Sequence, residues 1–440
     1  MSSPFDRFAA PFGIAFLEEG NLRVRSLAAS SCLVTALVFG VAACGGNGND
    51  NGGGGGGGAS TGRTSLTIYS SLPLQGDSRP QSEDVVNGER LALEEAGGKV
   101  GKFTIKYVSL DDATAAAGKW DPGQTSSNAR KAAQDPSTIA YLGEFNSGAS
   151  AISIPILNEA NILQISPSNT YVGLTRAKGA DKGEPDKYYP AGKRTYGRVV
   201  PADHIQAAAQ VTYQKDEGCK KTYILNDKEV YGKGIAVQVE SIAKTQGLAI
   251  AGNDGIDTHA ANFRTVAQKI KSSGADCMFF GGITQNKGVQ VFTDVNAANP
   301  NMKLFGPDGV ADVFVTKISS KVAAQTYITN PTLDPKLYPP AAQDFFNKFK
   351  EKFGHEPYPY AIYGYEAMKV ALLAIQNAGD KGNDRQAVID AFFKIKDRDS
   401  VLGKYSIDEN GDTTLSDYGA DRVKNKKLVF DKVIKAQTQG

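Results

Sequence analysis

Histidine is nearly missing from this chain. Its 440 residues hold three, His204, His259 and His355. None belongs to a His-Glu-x-x-His zinc helix, and no Gly-x-Ser-x-Gly nucleophile elbow accompanies them. The common hydrolytic chemistries therefore lack their reagents, and an enzyme is not expected. An excess of either charge is lacking too: 49 Lys and Arg face 47 Asp and Glu, for a net charge of +2. Nucleic-acid binding, which relies on strongly basic faces, has no support. The apolar run at 27–41 falls short of the ~20 residues that span a bilayer. The seven glycines at 52–58 follow no strand and precede no Lys-Ser/Thr pair, so they form no phosphate loop, and no cofactor is expected. The one tryptophan, Trp120, stands among Gly, Asp and Pro and is expected in a surface loop.

What is present points to a large extracytoplasmic protein. The length allows two packed cores, since single cores stop growing near ~250–300 residues. Arg23 and Arg25 precede the apolar run, which ends in Val41-Ala42-Ala43-Cys44. A positive region, an apolar stretch and small residues before a cut define a secretory signal. Cys44 in that setting resembles a bacterial lipobox, in which the cysteine receives a lipid and becomes the first residue of the mature protein. The expectation is a signal over 1–43, a Gly-rich tether over 44–64 and an anchor on the outer face of the cell membrane. Cys32 leaves with the signal, which strands Cys219 and Cys277 outside the cytosol. Both begin apolar strands, so a disulfide is feasible there, with two buried free thiols as the alternative.

From residue 65 onward, apolar β runs alternate with helical periodicity, the mark of βαβ units and parallel sheets. Strands are expected at 66–69, 103–110, 139–142, 162–165, 222–226, 277–281 and 326–330. Helices are expected at 83–95, 147–159, 263–272, 289–297, 340–353 and 361–378. Residues 171–197 carry no period and read as a long surface loop. The segments 403–407 and 427–430 read as a hairpin. Two similar α/β series imply two doubly wound lobes around a cleft. The division expected is 65–198 plus 330–398 for the first lobe and 199–329 plus 399–440 for the second. Within the first, 138–170 sends hydroxyls, amides and a helix amino end to the carboxyl ends of two strands. In open α/β sheets ligands bind there, and a helix amino end suits a carboxylate.

Several segments recur in a fixed order: Gly143 with Ser147-Gly148, Ile165-Ser-Pro-Ser-Asn-Thr170, and Arg198-Val-Val-Pro-Ala-Asp203 with Gln206. Tyr231-Gly-Lys-Gly234, Gly281-Gly282, Gly306-Pro-Asp-Gly-Val310 and Gly403 to Gly411 follow. In this the chain resembles the type I periplasmic solute-binding proteins of the branched-chain amino acid class, the leucine/isoleucine/valine receptors of ABC importers. The resemblance implies that Ser147 and Thr170 hold a ligand carboxylate and that the Ser168 carbonyl accepts from its ammonium. It also implies that Tyr231 closes over the ligand and Asp308 pairs with the ammonium. Asn146, beside Ser147, and Arg79 complete the expected ligand-binding set. Two departures stand out. Ile283-Thr284 follows Gly281-Gly282, where the family often has an aromatic. The loop at 72–82 carries Gln75, Asp77, Ser78, Arg79 and Gln81, which suits a polar or acidic ligand, or a solute that is not an amino acid, better than an aliphatic one. Each residue also has a plainer role: Ser147 as a helix cap, Thr170 in a turn, Tyr231 at a core edge, Asp308 as a solvated turn acid, Arg79 as a surface charge. The partners implied are a small solute and ABC permease subunits, with the chain as a monomer. A sensor lipoprotein of the same fold is the alternative.

Overall fold

The computed structural model describes residues 62–311 and 313–436. The expected signal, Cys44 and nearly all of the tether lie outside the described residues. The first sheet grows around Ser65–Leu72, whose residues from Leu66 onward are all buried. Such continuous burial is typical of a parallel strand covered on both faces. Its neighbours Phe103–Asp111 and Thr138–Gly143 run parallel to it. Lys99–Val100 closes one edge, and Leu163–Ser166 followed by Tyr196–Arg198 extends the other.

The second sheet runs Ala249–Gly255, Lys221–Asn226, Cys277–Gly281, Lys303–Gly306 and Thr326–Asn330, all parallel. Asp417–Lys424 and Lys427–Lys435 then add as antiparallel strands. The period-two rule is visible in Cys277–Gly281. Cys277 and Phe279 pack on one face with Ile224, Ile235 and Phe305, while Met278 and Phe280 pack on the other with Leu225, Phe292 and Leu304. Cys219 and Cys277 are joined as a disulfide, with Cα atoms 5.8 Å apart.

The first lobe is completed by helices from late in the chain. Pro340–Phe353 and Ala361–Asn377 bring Phe345, Phe349, Met368 and Ile375 onto the sheet residues Leu66, Ile68, Ile139 and Ile165. Ala361–Asn377 crosses Arg79–Glu95 so closely that two glycines are required. A Cβ on Gly88 would lie 2.2 Å from the Ala361 carbonyl oxygen, and one on Gly364 would lie 2.3 Å from that of Val85.

Two sequence expectations change here. Gly403–Tyr405 pairs with Arg398–Ser400, not with residues 427–430, whose partner is Asp417–Lys424. Val401, Leu402, Tyr405 and Ile407 accordingly sit in the first-lobe core, so 399–407 pack with the first lobe rather than the second. Apolar spacing alone did not reveal which of two short hairpins each strand would join. The segment 171–197 also has more order than a loop without period suggests. Glu184 is buried within it and accepts from the hydroxyls of Tyr171 (2.5 Å) and Tyr188 (2.7 Å) and from the Asp181 N–H (3.0 Å).

Because the crossing helices cannot part without opening the core, Gly88→Ala should cost about 1–3 kcal/mol through overpacking. Thermal unfolding by calorimetry checks this, and an unchanged melting temperature would refute the close crossing.

Candidate functional site

In the first lobe, Gly143 ends a buried strand and residues 144–146 lead into helix Ser147–Glu159. Asn146 is extended at the N-cap (φ −94°, ψ 137°), and its carbonyl accepts from the N–H groups of Ala149 (3.0 Å) and Ser150 (3.1 Å). The N–H groups of Ser147 and Gly148 come ahead of these, and a helix supplies no acceptor for its first turn. Asn146 Oδ1 is buried without a partner. Ser147 Oγ lies 3.4 Å from the Tyr171 N–H.

The neighbouring loop is built on Ser166. Its hydroxyl donates to the Glu144 carbonyl (2.9 Å) and accepts from the N–H groups of Ser168 (3.1 Å) and Asn169 (2.8 Å). Ser168 Oγ donates to the Phe145 carbonyl (2.8 Å). Behind the loop lies Arg198, fully buried, which donates to the carbonyls of Asn169 (3.2 Å) and Tyr171 (2.9 Å) and to Asp412 Oδ1 (2.8 Å). Asn146, Ser147, Ser168 and Thr170 thus converge on one end of the first lobe.

In the second lobe, Tyr231 is the second residue of helix Val230–Thr245, which follows Lys221–Asn226, and its hydroxyl donates to Asp308 Oδ1 (2.9 Å). The other carboxylate oxygen accepts from Tyr360 (2.7 Å), which the sequence reading missed. A signal for it existed in Tyr358-Pro359-Tyr360, immediately before helix Ala361–Asn377. Phe145 packs edge-on against Tyr360, with ring centroids 5.6 Å apart. Burial raises the Asp308 carboxyl above its usual range, opposed by bonds from Tyr360, Gln206 and Tyr231. Asp203 joins the two halves: its N–H donates to the Thr170 carbonyl (2.7 Å), and its carboxyl feels the charges of both Asp308 and Arg198. Burial pushes that carboxyl up to about 8. Below the site, Asp112 and Glu144 form a buried acid pair, both raised by desolvation.

The remaining expected contacts fall elsewhere. Arg79 is exposed and pairs with Glu83 (2.6 Å). Gln75 donates to Asp111 (2.6 Å), which also binds the Leu74 N–H (2.9 Å), so this amide holds its own loop. Asp77 meets Lys317 (2.5 Å) and Ser78 meets Gln285 (2.7 Å), both across the cleft. Gln75, Asp77, Ser78 and Arg79 are therefore engaged by protein partners, whereas Gln81, the fifth polar residue of that loop, is buried with its Oε1 unpartnered among the described residues. Trp120 also departs from expectation. Its indole lies against Gly148, where an added Cβ would be 2.7 Å from the ring. Further bridges between lobes are Lys119 to Glu229 (3.1 Å) and Asn286 (2.7 Å), Lys233 to Asp181 (2.8 Å), and Gln238 to the Gly179 carbonyl (2.8 Å). The two lobes are closed on each other.

Two α/β lobes closed over a polar cleft define a solute receptor rather than a catalyst. The periplasmic binding protein family matches residues 67–427, and the chain belongs to that family. An amino acid binding protein of Pseudomonas aeruginosa is 25% identical over 349 residues, 79% of this chain and 87% of that protein. The Leu/Ile/Val/Thr-binding protein of Salmonella typhimurium is 28% identical over 335 residues, 76% of this chain and 84% of its own. In fold, the leucine-binding protein LivK of Thermotoga maritima superimposes with a TM-score of 0.73 at 22% identity, covering 84% of this chain and 99% of that one. The type I periplasmic binding protein fold follows.

The Asp203 shift has a consequence for stability. Unfolded, the carboxyl ionises near 3.8; folded, it keeps its proton to about 8. The folded state therefore binds the extra proton between those values, and stability falls as pH rises through that window. His204, held down to about 4 by burial, slopes the other way, but only below its ordinary 6.5. Between pH 6.5 and 8, Asp203→Asn should thus flatten the decline by up to about 1.4 kcal/mol per pH unit. Chemical denaturation of both proteins across that range provides the measurement, and parallel slopes would contradict it.

Proposed function

We propose that this protein is the extracytoplasmic binding component of an ABC importer for a small amino acid, with the branched-chain amino acids as first candidates. One observation carries the reading. The Asp308 carboxylate, held by two tyrosine hydroxyls, is near enough for its charge to act on Asp203, whose N–H in turn binds the Thr170 carbonyl of the hydroxyl-lined loop. An α-amino acid needs that pairing of poles. Its carboxylate would take the Ser147 hydroxyl, the Thr170 hydroxyl and the first amides of helix Ser147–Glu159. Its ammonium would take Asp308 and the Ser168 carbonyl. Charge-assisted bonds to the two lobes would then stabilise closure in proportion to their difference between open and closed states. The likeness to amino acid receptors supports the ligand class.

The working partners in this proposal are permease subunits that recognise the closed form of a monomeric receptor. Titration calorimetry with single amino acids tests the ligand class. Leucine, isoleucine or valine should bind, and Asp308→Ala should weaken binding by roughly a hundredfold, about 2.7 kcal/mol. Full affinity in that variant would remove the ammonium assignment.

We also propose that lipid on Cys44 anchors the protein to the outer face of the cell membrane, with 45–64 as the tether, because small residues and an apolar run precede that cysteine. In cells, the protein should partition into detergent and Cys44→Ser should move it to the aqueous phase. Equal partitioning would refute the anchor.

A further inference from the structure

The first sheet changes direction between two neighbouring strands. From Ser65–Leu72 the chain goes to Lys99–Val100 and Phe103–Asp111 on one side, and from Thr138–Gly143 it goes to Leu163–Ser166 on the other. Beyond the carboxyl ends of strands that diverge in this way lies the crevice in which open α/β sheets hold their ligands. The first turns of two helices flank it. One is that of Ser147–Glu159, proposed above to bind the ligand carboxylate. The other is that of Arg79–Glu95, the helix that follows Ser65–Leu72.

Ser78, Gln81, Ser82 and Val85 have the i, i+3, i+4, i+7 spacing of one helix face. Both ends of that face lead to the Asp308 loop. At the amino end, Ser78 Oγ accepts from Gln285 of the second lobe (2.7 Å), and the neighbouring Thr284 donates to the Gly309 carbonyl (3.4 Å). At the other end, Val85 packs on Gly364, where an added Cβ would lie 2.8 Å from Val85 Cγ1. Gly364 is the fourth residue of helix Ala361–Asn377, which Tyr360 immediately precedes, and Tyr360 donates to Asp308. Gln81 and Ser82 lie between these ends. Gln81 is 4% exposed and Ser82 fully buried, yet neither Gln81 Oε1 nor Ser82 Oγ meets a partner among the described residues. Arg79 and Asp84, on either side of them, are engaged by Glu83 and by the Tyr358 N–H. A buried acceptor without a donor destabilises a fold, so one that faces a ligand crevice calls for a donor from the ligand.

We propose that Gln81 selects the side chain of the ligand, so that the receptor prefers an α-amino acid bearing a hydroxyl or amide to its aliphatic isostere. The assignment rests on the solute-binding function above and narrows its ligand class. Asp308 takes the ammonium, and the Gln81 face stands beside it on the first-lobe side, where the substituent of the adjacent α-carbon arrives. Gln81 Oε1 accepts the hydroxyl or amide hydrogen of that substituent, whereas a methyl group in its place leaves the oxygen unpaired. A site built to bond a polar group rejects the analogue lacking it more strongly than an apolar pocket sorts ligands by size.

Two isosteric pairs test this before the protein is altered. Threonine differs from valine, and asparagine from leucine, by polar atoms in place of methyl groups. The full chain is titrated calorimetrically with all four. The polar member of at least one pair should bind about tenfold tighter than its isostere. Gln81→Met should then bring that pair to within about twofold, while the affinity for the aliphatic member stays within about threefold of the native value. Valine and leucine bound as tightly as their polar isosteres, or a preference that survives in Gln81→Met, would overturn the selection while leaving solute binding intact. No heat with any amino acid would overturn solute binding itself, and the selection with it.

Discussion

The pairing of Arg198 with Asp412 is the constraint on which the site depends. A guanidinium with no exposed surface must be fully satisfied, since an unpaired buried charge is among the costliest defects a fold can carry. Asp412 supplies the countercharge, and Arg176 reaches the same carboxylate at 2.5 Å as well as bonding Asp408. Burial alone would raise the Asp412 carboxyl, but the two arginines hold it down to about 2. Of the remaining Arg198 donors, Nη1 goes to backbone carbonyls of the loop that carries Ser168 and Thr170, and Nη2 goes to the Thr175 hydroxyl. The ligand loop is thus fixed from behind by charge. The fixing carboxylate comes from 408–416, the stretch that links the first-lobe core to the strand Asp417–Lys424 of the second sheet.

That arrangement lets the lobes move without disturbing the loop that carries Ser168 and Thr170. The bridges across the cleft mouth, Asp77–Lys317, Asp181–Lys233 and Lys119–Glu229, are all partly exposed. Pairs of that kind contribute on the order of 0–1 kcal/mol each. Several together bias an open–closed equilibrium without locking it, which is what a receptor that must release its ligand requires. The segment 171–189 adds to this bias. Glu184 keeps it compact, and Asp181 and Gly179 grip helix Val230–Thr245 of the opposite lobe.

Much of this was legible in the sequence because strand ends are. The apolar run in Cys277–Gly281, the hydroxyl run after Ile165 and the glycine turns marked where two sheets present their carboxyl edges. Tyr231 and Asp308 do meet, although the strands they follow, Lys221–Asn226 and Lys303–Gly306, are separated in the sheet by Cys277–Gly281. The errors share one cause: local composition does not state what a side chain touches. Trp120 looked like a surface residue because Gly, Asp and Pro surround it, yet its environment is set by Gly148, 28 positions later. Gln75, Asp77 and Ser78 looked like ligand groups because the loop after the first strand often faces a cleft. Their partners, Asp111, Lys317 and Gln285, were decided by tertiary packing. The buried acids Asp112, Glu144 and Asp203 were equally silent, since an Asp or Glu in sequence carries no mark of its burial.

Both polar and apolar side chains line the region where the two lobes meet. Around Asp308 the polar groups Tyr231, Tyr360, Gln206 and Asp203 stand beside apolar side chains. Phe145 packs on Tyr360, Ile283 approaches Gly309 beside Tyr231, and Trp120 covers Gly148. Ile283 follows Gly281-Gly282, so an aliphatic side chain rather than a ring stands at that point of the second lobe. An apolar wall separates ligands by size only weakly, at ~1–3 kcal/mol per methylene, whereas two oriented poles reject solutes that lack either charge far more strongly. In the reading proposed above, Asp308 and the helix amino end would therefore do more to require an amino acid than the apolar side chains would do to choose among amino acids.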